Sequence, residues 1–411
     1  MAGADSVSVF AEGTFEEQVQ ELVNYIVRNR SEGERAEFIR PFQEALKTSE
    51  GQTPLEQDAD RKRSIFQMVA VEVKSLGDGT DKEIEGFFNL LFSHLFSLHA
   101  SEGSDTKVYV NAFVQLLTHQ PSERKFIKYR ILSNLFNAVE RTSSLRPLVY
   151  IALVQMAGLN NDFDTLQITR ANVEKWLSEW NIPQIEKAVF LKNVSDAYLT
   201  ASQPANAYDY ERLYIQTLPS SSSAAQDGAI NLIATALRLP TVFDFDPLFK
   251  LDAVLAVKDH ELFSLLQIFL NDGLLEFKTW EASHSEALEK HKLDRTQLER
   301  KIRLLTLASL AFQHIGRDLS YSKITDALQV NPDEVEKWAI DVIRAGLVWG
   351  KLSQTTHSLH VTRATARTFE KEQWEALEKR LQAWKSGLNG VLEVVVGAKR
   401  QVGLGQPQNA V

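Results

Sequence analysis

Residues 320–363, SYSKITDALQVNPDEVEKWAIDVIRAGLVWGKLSQTTHSLHVTR, carry the most informative pattern of secondary-structure signals in the chain. Its first two segments carry apolar residues at helical spacing, and a short polar break at Asn331 and Pro332 separates them. Two segments rich in strand-forming residues follow, VWGKL and SLHVT, with the turn-rich SQTTH (353–357) between them. Helix, turn, helix and hairpin in this order predict a winged helix.

The second helix of this motif has signals at both ends. Asn331 is a candidate N-cap, and Pro332 suits the first helical position. Glu334 stands three residues after Asn331, which predicts a capping box. Gly346 predicts the end of the helix. The predicted buried face comprises Val335, Trp338, Ala339, Val342 and Ile343.

The charges of this second helix argue against DNA as its ligand. Residues 333–345 hold four acidic and two basic side chains, a net charge of −2, and the acids gather where base contacts are usually made. DNA phosphates would repel them. The whole chain is acidic, with a net charge of −9. Nucleic-acid-binding domains are often basic instead, with a pI above ~9. A structural or protein-binding winged helix is favoured, while Lys351 and Arg363 in the wing leave a weak RNA contact open.

Most of the chain before this motif predicts stacked helices. From about residue 64, apolar residues recur at intervals of three and four, in segments divided by short breaks with Gly, Pro, Ser or Asp. Antiparallel helix pairs over such a length predict a helical-repeat solenoid. The polar stretches TSEGQTPLEQDADRKR (48–63) and LPSSSSAAQDG (218–228) predict loops.

Composition bounds the class of protein. With 411 residues, two or three structural units are expected. The absence of cysteine excludes disulfides, thiol catalysis and cysteine-ligated zinc. The N-terminus lacks the features of a signal peptide, and the most apolar run, residues 87–98, is too short to span a bilayer. These features predict a cytoplasmic protein without a membrane partner.

No pattern in the chain predicts catalysis. Neither a G-x-x-x-x-G-K-[ST] phosphate loop nor a G-x-S-x-G elbow occurs. His357 and His360 lie three residues apart, but a metal site needs three or four ligands, and neither Cys nor a paired His completes this one. His94 and His99 are interpreted as structural histidines of an apolar helix. We therefore predict no enzyme activity, no cofactor, no metal site and no small-molecule substrate.

The segment RTFEKEQWEALEKRLQAWKSGLNGVLEVVVGAKR (367–400) predicts a long terminal helix with a heptad seam. Two indoles on a terminal helix are costly to leave in water, so this seam predicts an interface with other chains. The alternative is that the helix packs on its own winged helix. The last residues have too little apolar content to fold and are predicted to be disordered. The predicted interface residues are Trp374, Leu377, Leu381, Trp384, Leu388 and Val391.

This combination of solenoid, winged helix and terminal helix resembles PCI-domain subunits of the proteasome lid, the COP9 signalosome and translation initiation factor 3. The segments RILSNLFNAVE (130–140), KWLSEWNI (175–182), RLLTLASLAF (303–312) and RTFEKEQWEALEKRLQAWKSGLNGV (367–391) narrow the match. They resemble the subunit M family of eukaryotic translation initiation factor 3. The resemblance runs from about residue 125 to 392 and is strongest in the last hundred residues.

The resemblance implies a non-catalytic scaffold that supports small ribosomal subunit binding. In PCI subunits the winged helices associate edge to edge and the terminal helices gather into one bundle, so Trp349, Leu359 and Val361 of the hairpin are added to the predicted interface. The implied partners are other PCI subunits and the remaining subunits of the complex, with the small ribosomal subunit reached through it. A PCI subunit of the signalosome or proteasome lid, or a nucleic-acid-binding winged-helix protein, remains the alternative.

The predicted fold is all-α: a helical-repeat solenoid, a winged-helix PCI module with a small β-hairpin, and a long C-terminal helix. The predicted organisation has an N-terminal helical segment with a linker, the solenoid, a PCI domain whose winged helix starts at residue 317, a bundle helix and a disordered tail. The boundaries are 1–63 for the N-terminal segment with its linker, 64–205 for the solenoid and 206–367 for the PCI domain (helical part 206–316, winged helix 317–367). The bundle helix covers 368–396 and the disordered tail 397–411.

Overall fold

The computed structural model describes residues 13–48, 53–119, 124–166, 168–368 and 371–404. Contacts between residues divide the chain into two compact units, Met1–Leu218 and Pro219–Val411. The expected boundary at 205/206 lies earlier than this division. The difference arises because the helix Pro204–Thr217 packs extensively on the helix before it and so belongs to the first unit.

The first unit consists of stacked helices. The interior helices contact both a sequence neighbour and a helix two or three places further along, as in a solenoid built from helix pairs. A 3-10 turn, Leu55–Gln57, precedes the third helix. The helices are α1 Phe15–Ile26, α2 Glu32–Leu46, α3 Ala59–Glu72, α4 Asp81–Leu98, α5 Ser104–His119, α6 Lys125–Ala138, α7 Arg146–Asn160, α8 Phe163–Leu166, α9 Arg170–Glu179, α10 Gln184–Thr200 and α11 Pro204–Thr217.

Local capping chemistry defines the start of α4, the helix that contains the apolar run 87–98. The Thr80 hydroxyl accepts the backbone N–H of Glu83 at 3.4 Å, and the Glu83 carboxylate accepts the backbone N–H of Thr80 at 2.7 Å. These reciprocal bonds satisfy two donors that a helix leaves unpaired. The backbone bond from Thr80, together with Arg28, lowers the pKa of Glu83 to about 2.

Two stretches predicted as loops are partly helical. In residues 48–63 the helix α3 begins at Ala59, because the Asp58 carboxylate accepts the backbone N–H of Arg61 at 3.0 Å and caps it. In residues 218–228 a helix begins at Ser223, where the Ser222 hydroxyl accepts the N–H of Ala225. Serine and aspartate favour both turns and N-caps, which explains the two errors. Residues 49–52 lie outside the described part of the chain.

The second unit combines helices with one small sheet. None of the described helices, here or in the first unit, is long and apolar enough to cross a membrane. The elements are α12 Ser223–Arg238, α13 Asp246–Phe249, α14 Asp252–Leu255, α15 Glu261–Asn271, α16 Leu274–Ser283, α17 Ser285–Lys290, α18 Arg295–Gln313, β1 Asp318–Ser320, α19 Tyr321–Leu328, α20 Val335–Arg344, β2 Val348–Ser353, β3 Ser358–Ala364 and α21 Lys371–Leu404.

The winged helix forms as the sequence predicts, with one addition. The predicted hairpin is β2 and β3, and a third strand, β1, pairs antiparallel with β3 to give the order β1–β3–β2. The second helix ends as predicted, because Gly346 adopts a φ of +72° directly after it. The core shared by these elements includes Leu319, Ile324, Leu328, Val335, Ala339 and Val342.

The predicted capping box at Asn331 is wrong. A 3-10 turn, Pro332–Glu334, occupies this position, and the Asn331 side chain makes no capping bond. The α-helical part starts only at Val335. The proline fixes a tight first turn whose backbone bond runs from the Glu334 N–H to the Asn331 carbonyl at 2.9 Å.

The terminal helix α21 is longer than expected. It continues to Leu404, past the predicted end at residue 396, so residues 397–404 of the predicted tail are helical. Ala398, Gln401 and Leu404 are good helix formers and carry the helix past Gly397. The rest of the predicted tail, residues 405–411, lies outside the described residues.

Candidate interaction surface

The apolar seam of α21 lies open to solvent in this chain. Trp374 is 61% exposed and Trp384 is 66% exposed, although an indole buries more apolar area than almost any other side chain. Seam residues three and four apart share one helix face. The other exposed seam residues are Leu377, Leu381, Leu388 and Val391.

The exposed apolar surface widens toward the C-terminal end of α21. Leu392, Val394 and Val396 are exposed as well, and at 100° per residue they extend the apolar surface to both sides of the seam. No other described helix exposes so many large apolar side chains. Contiguous exposed apolar surface of this kind is typical of sites that bind proteins, membranes or ligands.

Arg367 holds the chain segment that precedes α21. Its guanidinium donates to the carbonyl of Asp272 at 2.6 Å, to the carbonyl of Leu305 at 3.0 Å and to the Thr306 hydroxyl at 3.2 Å. Burial lowers the pKa of Arg367 to about 10, which still leaves it charged at neutral pH. The start of the terminal helix is therefore tied to both α15 and α18.

A residue of α21 itself makes one further contact, with α18. The Arg380 guanidinium sits 5.2 Å from the ring centre of Phe312 in α18 and donates to the Phe312 carbonyl at 3.4 Å. Arg380 lies three residues after Leu377 and four before Trp384, so this contact borders the seam. Leu377, Leu381 and Trp384 nevertheless remain 38%, 53% and 66% exposed.

The outer strand of the wing offers a second surface. Strand β2 pairs with β3 on one side and forms an edge of the sheet. Trp349 on this strand is exposed, and the Arg363 guanidinium lies 4.5 Å from its ring centre. The register is irregular at Trp349 and Gly350, where the Gly350 backbone closely approaches the His360 carbonyl.

Two of the hairpin residues predicted at an interface lie in the core instead. Leu359 and Val361 are both completely buried, within the apolar cluster of the winged helix. Successive side chains of a strand point to opposite faces, and His360 between them is the exposed one. Leu359 and Val361 therefore stabilise the module and are withdrawn from the interface.

The second helix of the motif presents acids where a DNA reader needs cations. Asp333 and Glu334 are exposed. Glu336 accepts a hydrogen bond from Gln354 of the wing at 2.9 Å, and Asp341 pairs with Arg300 at 3.0 Å. That the helix does not read a duplex stays a prediction.

The histidines considered in the sequence occupy different environments. His360 contacts Asp318 at 2.7 Å across β1 and β3. Burial lowers the pKa of His94 to about 4, and its ring packs edge-on against Phe15. A group the sequence interpretation missed is His260, Glu261 and His291, whose possible ligand atoms all lie within 4.8 Å of one another. The adjacent pair His260–Glu261 was the available signal, but its partner lies thirty residues further along the chain.

Comparisons with known proteins cover both units. A model of the PCI domain matches residues 281–363, inside the segment 206–367 predicted to be one, and a model of the eIF3 subunit M C-terminal helix matches residues 367–395. A "Eukaryotic translation initiation factor 3 subunit M" from Aspergillus oryzae is 35% identical over 413 residues, covering 95% of this chain and 87% of the relative.

Two further relatives carry the same name. The protein from Phaeosphaeria nodorum is 32% identical over 409 residues, covering 96% of this chain and 89% of the relative. The protein from Coccidioides immitis is 31% identical over 418 residues, covering 97% of this chain and 90% of the relative. Because the similarity runs through nearly the whole of each chain, this protein belongs to the family of eukaryotic translation initiation factor 3 subunit M and is a translation initiation factor subunit.

Proposed function

We propose that this chain is a non-catalytic scaffold of the initiation factor 3 complex, in the cytoplasm, and supports binding of the complex to the small ribosomal subunit. Its work is to hold neighbouring subunits in place through the seam of α21 and the edge of the winged helix. The observation that carries the proposal is the exposed seam, in which Trp384, Leu381 and Leu388 are 66%, 53% and 45% exposed, because contiguous exposed apolar surface is typical of interfaces.

The geometry of the winged helix supports the second contact. An edge strand presents unpaired backbone N–H and C=O groups, and adding a strand from another chain satisfies them. Trp349 on β2 adds an aromatic anchor of the type enriched in interfaces. Other PCI subunits are the proposed partners at this edge.

Contact with RNA is proposed to be weak and secondary. The acids of α20 oppose phosphate binding, while Lys351 and Arg363 are the cations that the wing offers. The small ribosomal subunit is therefore reached mainly through the assembled complex.

The test is affinity purification of the tagged full-length chain from eukaryotic cells, with partners identified by mass spectrometry. We expect Leu381→Asp to reduce co-purified initiation factor subunits more than about tenfold, because an unpaired carboxylate buried in an interface costs several kcal/mol. A chain ending at residue 367, which lacks α21, should lose the same partners.

Ser386→Asp is the matched control. It adds the same charge to the same helix, at an exposed position about 140° around the axis from Leu381. This control should keep its partners. Equal recovery of partners with Leu381→Asp and with the unchanged chain would overturn the role of the seam. Recovery of signalosome or proteasome-lid subunits would overturn the complex assigned.

A further inference from the structure

The side chains of His260, Glu261 and His291 meet in the second unit. His260 immediately precedes α15, Glu261 is its first residue, and His291 follows the last residue of α17. His291 Nε2 lies 3.0 Å from Glu261 Oε1. Because these side chains come from two separate helix ends, the fold has to be complete before they converge.

The donor set matches a known coordination chemistry. Two imidazoles and one carboxylate bind zinc in sites with three protein ligands, and water occupies the fourth position. The His291 side chain is only 12% exposed, so little side-chain freedom remains to be lost on binding.

Three existing contacts compete with a metal. Lys290 Nζ lies 2.9 Å from the same Glu261 oxygen, but the Lys290 side chain is 63% exposed and can turn into solvent. His260 Nδ1 accepts the backbone N–H of Leu262 at 3.1 Å, a bond that coordination through Nδ1 would replace. His291 gives up its hydrogen bond to Glu261 and carries its proton on Nδ1 when Nε2 coordinates.

We propose that His260, Glu261 and His291 form a zinc-binding site that joins the start of α15 to the end of α17. Binding displaces the Lys290 ammonium from Glu261. The bound metal stabilises this part of the second unit, because a ligand that binds only the folded state shifts the unfolding equilibrium. The site is independent of the proposed scaffold function.

The experiment uses the full chain stripped of metal with a chelator. Zn²⁺ is titrated by calorimetry and thermal unfolding, and Co²⁺ by visible absorption, which reports four-coordinate geometry. We expect one equivalent to bind and the unfolding temperature to rise. His291→Ala and His260→Ala should weaken binding more than tenfold, since loss of a residue that only hydrogen-bonds to a metal ligand already costs roughly 10–100-fold.

The affinity of Lys290→Ala for zinc distinguishes a metal site from an ordinary ion pair. It keeps all three ligands and removes the competing ammonium, so we expect tighter binding. His360→Ala is the control, because His360 is an exposed histidine bound to Asp318 on the wing. It should leave the affinity unchanged.

Three results would overturn the proposal: no binding at about 100 µM free Zn²⁺, equal affinity in His291→Ala, or weaker binding in Lys290→Ala. Circular dichroism of each metal-free variant establishes that it is folded. If His291→Ala does not fold, the zinc affinity of Lys290→Ala alone tests the proposal, because this variant leaves the ligands and the buried contacts in place.

Discussion

At the residue scale, Gly158 determines how closely α7 and α10 approach. A Cβ atom at this position would lie 2.7 Å from the carbonyl oxygen of Ala197 and 3.1 Å from its Cβ. We expect Gly158→Ala to destabilise the first unit by about 1–3 kcal/mol, because the backbone must shift to relieve the overlap. The higher helix propensity of alanine, worth about 1 kcal/mol, offsets only part of this cost. The measurement is the midpoint of urea-induced unfolding.

Gly33→Ala is the matched control in the same unit. Nothing lies within 4 Å of a Cβ built at Gly33, in the first turn of α2. This substitution should be neutral or stabilise by up to about 1 kcal/mol. Equal shifts of the midpoint in the two variants would show that the α7–α10 contact is not as close as described.

Residue patterns also show what sequence reasoning can and cannot assign. The alternation of Leu359, His360 and Val361 already indicated which side chains face inward, so their assignment to an interface was an error of interpretation. The seam residues were identified correctly as one apolar face. Whether Trp374 and Trp384 are covered by this chain was not predictable, because coverage depends on distant elements.

At the element scale, Lys301 on α18 caps the end of α12. Its ammonium donates to the carbonyls of Ala236 at 2.7 Å, Leu237 at 3.2 Å and Leu239 at 2.6 Å. The last carbonyls of a helix lack partners within it, so this cation satisfies acceptors that would otherwise be buried alone. Burial lowers the pKa of Lys301 to about 7, while the three carbonyls bind its charged form.

We expect Lys301→Met to destabilise the second unit by about 1–3 kcal/mol, since the released burial cost of the charge offsets only part of the lost hydrogen bonds. Urea-induced unfolding measures the change. The control Lys258→Met removes an exposed lysine of the same unit and should stay within about 0.5 kcal/mol of the unchanged chain. A Lys301→Met variant as stable as this control would contradict the capping role.

At the scale of the whole molecule, the charge balance predicts that the chain does not bind a DNA duplex. The chain carries a net charge of −9, and the acids of the winged helix add to the repulsion where a duplex would dock. We expect no binding of a mixed-sequence 20-base-pair duplex below about 100 µM at low salt, measured by fluorescence anisotropy. Combined substitution of Asp333, Glu334 and Glu336 by lysine should introduce measurable, salt-sensitive binding. Micromolar affinity of the unchanged chain, falling steeply with salt, would instead favour the nucleic-acid-binding alternative.

Local sequence patterns were enough to predict the all-α class, the winged helix and the seam of the terminal helix. These features rest on periodicity and on caps such as Gly346, which neighbouring residues encode. The tertiary structure alone decided the three-residue strand β1, which exists only by pairing with β3, and the partners of Arg367, which lie 61 to 95 residues away. It also decided the meeting of His260 with His291. Such contacts join segments far apart in the chain, and a local pattern carries no signal of which distant segment will pack against it.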